Sequence, residues 1–285
     1  MKSIPRPGRL GAALAITALA LGACGGSGGD SPQTRDTAYG QVEGVDDSAK
    51  SGTYFWKGIP FAQAPAGALR WKAPVEPAAW TGKLATKQFG PSCIQNPRIY
   101  SPGNTNTFDA SVGDNLVTGH TPGREDCLSL NIWRPATDAT NLPVIVFIYG
   151  GSNITGYSGD PLYDGAALAN KANAVVVTAN YRLGQLGHFR HPALRDTTVD
   201  PTLTADDMSG NYAVLDIVQA LRFVQDNVDE FGGNPKNVTL TGQSAGAINV
   251  LAVATAPGQR AAGLFHKLAP LSGGISVATS PGFPQ

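Results

Sequence analysis

The chain has 285 residues, of which 15% are charged, and its 21 basic and 21 acidic side chains leave no net charge at pH 7. That balance excludes the basic surface of a nucleic-acid-binding protein and gives no sign of an acidic ligand, so we expect no nucleic-acid partner. The length is sufficient for one large domain or two smaller ones with a substantial core.

The first 23 residues have the features of an export signal. Basic residues within the first nine positions precede an uncharged, mainly apolar run over 10–23, which is too short for a comfortable membrane span. The run ends in Leu21-Gly22-Ala23-Cys24, which resembles the lipobox of bacterial lipoproteins. The resemblance implies a signal peptide over 1–23, lipidation of Cys24 and a lipid anchor in the bacterial cell envelope. The alternative is an ordinary secretory peptide cut near residue 23, and either form leaves the cytoplasm.

The glycine- and serine-rich sequence after Cys24 predicts a flexible tether over 24–38, and the folded part is predicted over 39–285. With Cys24 used as the anchor, Cys93 and Cys127 remain as an even pair in an oxidising compartment. A disulfide between them would close a polar loop and stabilise the fold by about 3–4 kcal/mol. Two buried free thiols are the alternative.

Apolar runs and periodicity predict the secondary structure in chain order. The predicted elements are an antiparallel hairpin region (Gly40–Val45 and Thr53–Phe61), a buried strand (Val144–Tyr149), a helix (Leu162–Ala172), a strand (Ala174–Ala179), an amphipathic helix (Tyr212–Phe231), a strand at Val238 and a helix (Ala245–Ala254). The alternation of strand and helix predicts an α/β fold whose mostly parallel sheet is covered by helices on both sides.

The final strand runs into Gly242-Gln243-Ser244-Ala245-Gly246. A G-x-S-x-G sequence between a strand and a helix is typical of a sharp turn that presents one serine hydroxyl. Glycines at both ends allow the close backbone approach that such a turn requires. The context therefore predicts Ser244 as a nucleophile, against the alternative of an accidental Gly-Ser turn.

A second chemical element, Tyr149-Gly150-Gly151-Ser152, follows the first central strand. Ligands of open α/β sheets bind beyond the carboxyl ends of the strands. A Gly-Gly turn there can direct backbone N–H groups at a developing oxyanion. A Gly-Gly sequence after a strand is by itself more often a plain turn. Together with the serine elbow, it favours the interpretation as an oxyanion hole.

These elements resemble the type-B carboxylesterase family, which includes cholinesterases and certain lipases and has the α/β-hydrolase fold. The resemblance extends from about Gly40 to the end of the chain. The matching motifs are Lys57-Gly58-Ile59-Pro60-Phe61-Ala62, Leu69-Arg70-Trp71, Glu125-Asp126-Cys127-Leu128-Ser129-Leu130-Asn131-Ile132, Asn180-Tyr181-Arg182-Leu183-Gly184 and Phe231-Gly232-Gly233-Asn234-Pro235.

The resemblance implies that Ser244 is the nucleophile of a carboxylic ester hydrolase and that Gly151, Ser152 and Ala245 supply the oxyanion-hole N–H groups. It also implies a disulfide between Cys93 and Cys127. Ser152 departs from the family's third oxyanion glycine, although its N–H is kept. Gln243 replaces the usual glutamate and lowers the expectation of choline-ester specificity.

The catalytic acid and histidine of the family follow the serine by more residues than this chain contains after Ser244. We therefore expect a C-terminally truncated domain whose acid and base lie beyond the chain. None of the four histidines (His120, His188, His191 and His266) is predicted to be the base. Asp126 and Asp216 are interpreted as structural carboxylates that pair with an arginine or a helix end.

The leading hypothesis is an exported serine ester hydrolase that acts on a small-molecule ester through an acyl-enzyme, without metal or cofactor. The alternatives are a truncated inactive product and a non-catalytic, cholinesterase-like binding protein. Asn153-Ile154-Thr155 matches a glycosylation sequon and is interpreted as a coincidence in a bacterial lipoprotein.

Overall fold

The structure is a computed structural model that describes residues 32–95 and 123–274. Signal-peptide residues 1–23, Cys24 and His120 lie outside the described residues, as does most of the segment between Cys93 and Cys127. The strands are β1 (Thr34–Thr37), β2 (Gly40–Glu43), β3 (Val45–Asp47), β4 (Thr53–Pro60), β5 (Lys83–Ala85), β6 (Ser129–Pro135), β7 (Leu142–Ile148), β8 (Val175–Ala179), β9 (Gly233–Gln243) and β10 (Lys267–Leu271). The helices are α1 (Ser48–Ser51), α2 (Ala166–Ala172), α3 (Gly184–Gly187), α4 (Tyr212–Asn227) and α5 (Ala245–Ala254).

Within the described residues the main sheet has seven strands in the order β10-β9-β7-β8-β6-β4-β3. The four strands β10, β9, β7 and β8 are mutually parallel, whereas β6, β4 and β3 continue the sheet in antiparallel pairs. The predicted α/β fold is confirmed, and the parallel part is the part that carries the serine elbow.

Helices cover both faces of this sheet because successive strand residues point to opposite sides. On one face, Ile132 and Val177 belong to the main core together with Ile217 of α4. On the other face, their neighbours Trp133 and Val176 pack with Ala169 of α2. A strand buried on both faces reads as a continuous apolar run, which is why β8 could be located from its sequence.

The N-terminal region differs from the predicted hairpin. β3 pairs with β4 as an antiparallel ladder, but β2 joins a separate three-stranded sheet with β1 and β5. β1 also corrects the predicted tether over 24–38, because residues Thr34–Thr37 are paired with β2. The folded part therefore begins before residue 39.

The helices follow the prediction with two changes at their ends. α4 ends at Asn227, four residues before the predicted end, and a turn leads from there to Gly232 and Gly233. The predicted helix over 162–172 is divided into a 3₁₀ turn, Pro161–Tyr163, and α2. Among the described residues no helix has the length and apolar character needed to cross a membrane.

Cys93 and Cys127 are joined by a disulfide, with their Cα atoms 4.9 Å apart. Both residues are buried in the main core. The bridge fixes the two ends of the intervening segment against the start of β6.

Candidate active site

Ser244 stands on the turn between β9 and α5. Its backbone has φ 55° and ψ −123°, a conformation that costs a non-glycine residue about 1–3 kcal/mol. The strained turn directs the side chain away from the strand and leaves it partly exposed. The hydroxyl Oγ forms no hydrogen bond with any residue that the structure describes.

Two glycines permit this turn by close backbone contact. A Cβ on Gly242 would lie 2.6 Å from the carbonyl carbon of Gly246, and a Cβ on Gly246 would collide with the carbonyl of Ile148. The spacing predicted from G-x-S-x-G thus has a steric basis: the elbow packs directly on the end of β7.

The segment after β7 lies beside this elbow. β7 and β9 are parallel neighbours with Ile148 opposite Gly242, so both strands end at the same edge of the sheet. Gly150 is in contact with Gln243 and Ser244. The sheet therefore brings together the two motifs that the sequence separates by more than 90 residues.

The backbone after Gly150 forms a tight left-handed turn, here called the glycine loop (residues 150–155). Gly151 has φ 123°, and Ser152 and Asn153 have φ 55° and 58°. The N–H groups of Ile154 and Thr155 donate to the carbonyl of Gly151, at 3.0 and 3.1 Å. Positive φ at two successive central residues is the condition for a type I′ turn.

An open cleft of about 270 Å³ lies over the junction. Gly151 and Ser152 line it together with Ser244, whereas Ala245 is the buried first residue of α5. The first N–H groups of a helix have no intrahelical partner and carry partial positive charge. The predicted nucleophile and the three predicted N–H donors are thus gathered at one place.

The remaining cleft lining is largely uncharged. Gln243 and Tyr163 contribute neutral polar groups, and Leu162 presents an apolar side chain that is 74% exposed. Asp160 is the one charged residue among the described lining residues, and its carboxylate accepts a hydrogen bond from the N–H of Leu162 at 3.0 Å.

None of the three described histidines lines this cleft. His266 accepts a hydrogen bond from the N–H of Val238 at 3.3 Å; that position is six residues before Ser244 in β9, about 20 Å along the strand. His266 therefore lies far from Ser244, directly before β10. The exposed His191 accepts from the N–H of Ala193 at 3.2 Å.

His188 follows α3 and is the most enclosed of these histidines. Its Nε2 atom is buried and has no hydrogen-bond partner among the described residues. Burial lowers the pKa of the ring, and the nearby Asp216 carboxylate opposes that effect. A neutral, enclosed imidazole outside the cleft fits a structural role.

Asp216 has the structural role predicted for it. Its carboxylate accepts two hydrogen bonds from the Arg182 guanidinium, at 2.8 and 2.7 Å, and a third from the Arg182 backbone at 3.0 Å. Both side chains are almost fully buried. The pair ties the segment after β8 to α4.

Two further contacts near the site were not predicted from the sequence. The Tyr181 hydroxyl donates to the carbonyl of Tyr149 at 2.8 Å, and the two rings stack with centroids 4.6 Å apart. Burial raises the pKa of both phenols, so both hydroxyls remain donors. The second contact joins the side chains of Asn153 and Asn249. The only sequence signal for it was a polar residue on a helix of small and apolar residues.

Comparison with known proteins gives a consistent match. A family model described as "Carboxylesterase family" matches residues 31–281. The fumonisin B1 esterase of Sphingopyxis macrogoltabida is 40% identical over 230 residues, covering 80% of this chain and 38% of that protein. The para-nitrobenzyl esterase of Bacillus subtilis (strain 168) is 36% identical over 243 residues, covering 85% of this chain and 44% of that protein.

Comparison with solved structures also matches the chain to esterases. A PNB esterase structure superposes with a TM-score of 0.69 at 36% identity, covering 84% of this chain and 43% of that chain. The chain thus spans about two fifths of the length of the relatives that it matches.

Proposed function

Because the chain belongs to the carboxylesterase family, we propose that it carries the nucleophile and oxyanion hole of a serine hydrolase that cleaves carboxylic esters. The observation that carries the proposal is the contact between the strained elbow at Ser244 and the glycine loop at Gly150. A loop after one strand and the start of a helix after a neighbouring strand supply the oxyanion hole of α/β-hydrolases, and such N–H donors stabilise the oxyanion of acyl transfer.

In the proposed reaction, Ser244 Oγ attacks the ester carbonyl while a general base takes its proton. The carbonyl oxygen becomes an oxyanion held by the N–H groups of Gly151, Ser152 and Ala245. Collapse of the tetrahedral intermediate releases the alcohol, which receives the proton, and leaves an acyl group on Ser244. Water then attacks the acyl-enzyme by the same route and releases the acid.

The general base and its acid partner are proposed to lie outside the described residues. His188 and His266 have structural surroundings away from the cleft, and His191 is an exposed cap of a short turn. Loss of the histidine from such a unit reduces kcat by about 10⁶-fold. The described residues alone are therefore expected to supply binding and oxyanion stabilisation without rapid turnover.

We propose small-molecule carboxylic esters as substrates. Among the described lining residues Asp160 carries the charge, and Gln243 adds none beside the serine. The similar proteins are named for fumonisin B1, para-nitrobenzyl esters, phenmedipham and acylcarnitine. These names differ from one another, so the proposal goes no further than the class of ester.

Cys24 is proposed as a lipid anchor that holds the protein in the bacterial cell envelope, on the strength of Leu21-Gly22-Ala23-Cys24 after a basic and apolar leader. The test is fractionation of cells that express the complete gene. Protein with Cys24→Ala should move from the membrane to the soluble fraction. Retention in the membrane would contradict the anchor.

The activity is tested by fluorophosphonate labelling and para-nitrophenyl acetate hydrolysis, with the protein expressed from its complete gene in its own host. Labelling and hydrolysis that are lost in Ser244→Ala would support the proposal. A labelled band no larger than 29.5 kDa, the mass of this chain with its leader, would place the base within it. An absence of Ser244-dependent labelling and hydrolysis would overturn the proposal and favour a binding protein or an inactive product.

A further inference from the structure

The side chains of Asn153 and Asn249 form two reciprocal hydrogen bonds. Asn249 Nδ2 donates to Asn153 Oδ1 at 2.8 Å, and Asn153 Nδ2 donates to Asn249 Oδ1 at 3.3 Å. Asn153 belongs to the glycine loop and Asn249 to α5. The pair therefore connects the two segments that supply the proposed N–H donors and the nucleophile.

Asn153 stands where the glycine loop is most strained. It follows Ser152, and both have positive φ, a conformation that asparagine tolerates better than most residues. Its carbonyl accepts a hydrogen bond from the N–H of Gly184 at 2.6 Å. With its side chain bound to α5 and its carbonyl bound to α3, Asn153 is held from two directions.

Asn249 lies a little over one turn after Ser244 on the same rigid helix. Its side chain is only 3% exposed, and a buried amide without partners would be destabilising. The Asn249 side chain also lies close enough to the Tyr181 hydroxyl to offset part of the rise that burial causes in the pKa of Tyr181. Because Tyr181 in turn binds the carbonyl of Tyr149, the amide joins a polar network around the loop.

A paired amide restricts both distance and orientation, which a packed apolar side chain does not. The loop is anchored on its strand side by the Ile148–Gly242 register. At its far side, Ser152 needs a second anchor to keep its strained conformation. Asn153 and Asn249 provide that anchor at the residue directly after a proposed donor.

We propose that the Asn153–Asn249 pair is a positioning device that holds the N–H groups of Gly151 and Ser152 at a fixed distance from Ser244. The inference rests on the proposed ester hydrolase function. Neither residue contacts the reacting atoms in this role; both act through the geometry of the glycine loop.

The test compares kinetics of Asn249→Ala and Asn153→Ala with the unaltered protein, expressed from the complete gene. Misplacement of donors on the order of 1 Å should lower kcat about 10- to 100-fold, with KM within about twofold because the ground state gains little from the oxyanion hole. Affinity for a trifluoromethyl ketone, which forms a tetrahedral adduct, should fall by the same factor. The double variant should lose no more than either single variant.

Asn227→Ala is the matched control. Asn227 is also a buried helical asparagine with two hydrogen bonds, from the N–H of Ala38 and to the carbonyl of Phe223. Its replacement should lower the melting temperature as Asn249→Ala does while leaving kcat unchanged. An equal loss of kcat in Asn227→Ala would show that the Asn153–Asn249 pair affects kcat only through overall stability, and would overturn the proposal.

Asn249→Asp gives a readout that stability alone would not produce. An ionised carboxylate keeps the bond donated by Asn153 but places an oxygen opposite Asn153 Oδ1. Protonation restores a donor there, so the kcat of Asn249→Asp relative to the unaltered protein should rise as the pH falls. A ratio that is flat or falls with decreasing pH would contradict the pair's role.

Hydrogen exchange separates this inference from the proposed function. Amides of residues 150–156 should exchange faster in Asn249→Ala than in Asn227→Ala, whether or not esters are hydrolysed. If the unaltered protein hydrolyses no ester, the proposed function is overturned. The hydrogen-exchange result then decides by itself whether the Asn153–Asn249 pair holds the glycine loop. Unchanged loop exchange, or wild-type kcat in Asn249→Ala, would overturn the positioning role.

Discussion

A methyl group on Gly150 would lie 2.9 Å from Cβ of Ser244, so the glycine loop and the nucleophile elbow touch with no side chain between them. The same methyl would lie 2.5 Å from the backbone oxygen of Gln243. Backbone atoms cannot move aside as the end of a flexible side chain can. Main-chain contact therefore sets how closely the loop approaches the serine at Gly150, while the Asn153–Asn249 pair acts at the far side of the loop.

Gly150→Ala should force these segments apart and lower kcat/KM for a para-nitrophenyl ester by about 100-fold, as expected for donors displaced by roughly 1 Å. Gly274→Ala is the control, because a Cβ at that glycine meets no atom of the described residues within 4 Å. Wild-type turnover by Gly150→Ala would mean that the loop has freedom to shift.

Ser244→Gly and Ser244→Ala should both abolish ester hydrolysis but differ in stability. Ser244 has φ 55°, which glycine adopts without the strain that alanine keeps. After the greater flexibility of unfolded glycine is subtracted, we expect Ser244→Gly to be more stable by about 1 kcal/mol. Thermal unfolding measures this, and an equal or lower melting temperature for Ser244→Gly would argue against strain at the elbow.

Removal of one partner from the Arg182–Asp216 pair should strongly destabilise the folded protein. The two side chains are 3% and 0% exposed, so Asp216→Ala would leave a buried guanidinium without its counter-charge, at a cost of about 3–5 kcal/mol. The double variant Arg182→Met/Asp216→Leu should be less destabilised than Asp216→Ala. Urea unfolding tests the order, and a near-neutral Asp216→Ala would refute it.

His188 should make stability depend on pH. Burial lowers its pKa in the folded state, so the unfolded chain binds more protons as the pH falls below the ordinary value of about 6.5. The contribution of the neutral His188 ring to the free energy of unfolding is complete above that pH. It is lost as the pH falls through the folded-state pKa of His188. His188→Phe should flatten this slope.

His188→Phe also removes a buried nitrogen that has no hydrogen-bond partner among the described residues. We therefore expect a gain of about 1 kcal/mol at pH 7. Denaturant unfolding at pH 5, 6 and 7 measures both effects. An unchanged pH slope would show that the imidazole is not enclosed in solution.

The strands β7, β8 and β9 and the elbow were predictable because their signals are local. The continuous apolar run of β8 and the glycines at positions 242 and 246 follow from burial and steric contact within a few residues. The pairing of β2 was not predictable, because it depends on Lys83–Ala85, about 40 residues later in the chain. β1 was missed for a different reason: it pairs with β2 next to it in the chain, but its four residues are all polar and give no apolar signal.

Side-chain partners at the site were harder to predict than the site itself. The G-x-S-x-G pattern and the Gly-Gly turn after a strand located Ser244 and the glycine loop, and Asp216 was recognised as a structural carboxylate without its partner being named. Asn153 drew attention only as part of a sequon, since nothing in the sequence relates it to Asn249, 96 positions away. Such a contact is visible only once β7 and β9 are neighbours.

The shared register of β7 and β9, with Ile148 opposite Gly242, has a consequence for protein engineering. Both halves of the proposed reaction centre are fixed to one hydrogen-bonded ladder, whereas Leu162 and Tyr163 line the cleft from a 3₁₀ turn outside that ladder. Combinatorial libraries at those two positions can therefore explore new ester preferences without altering the spacing of the reaction centre. The scaffold thus separates the proposed reaction centre from the side chains that shape the cleft around it.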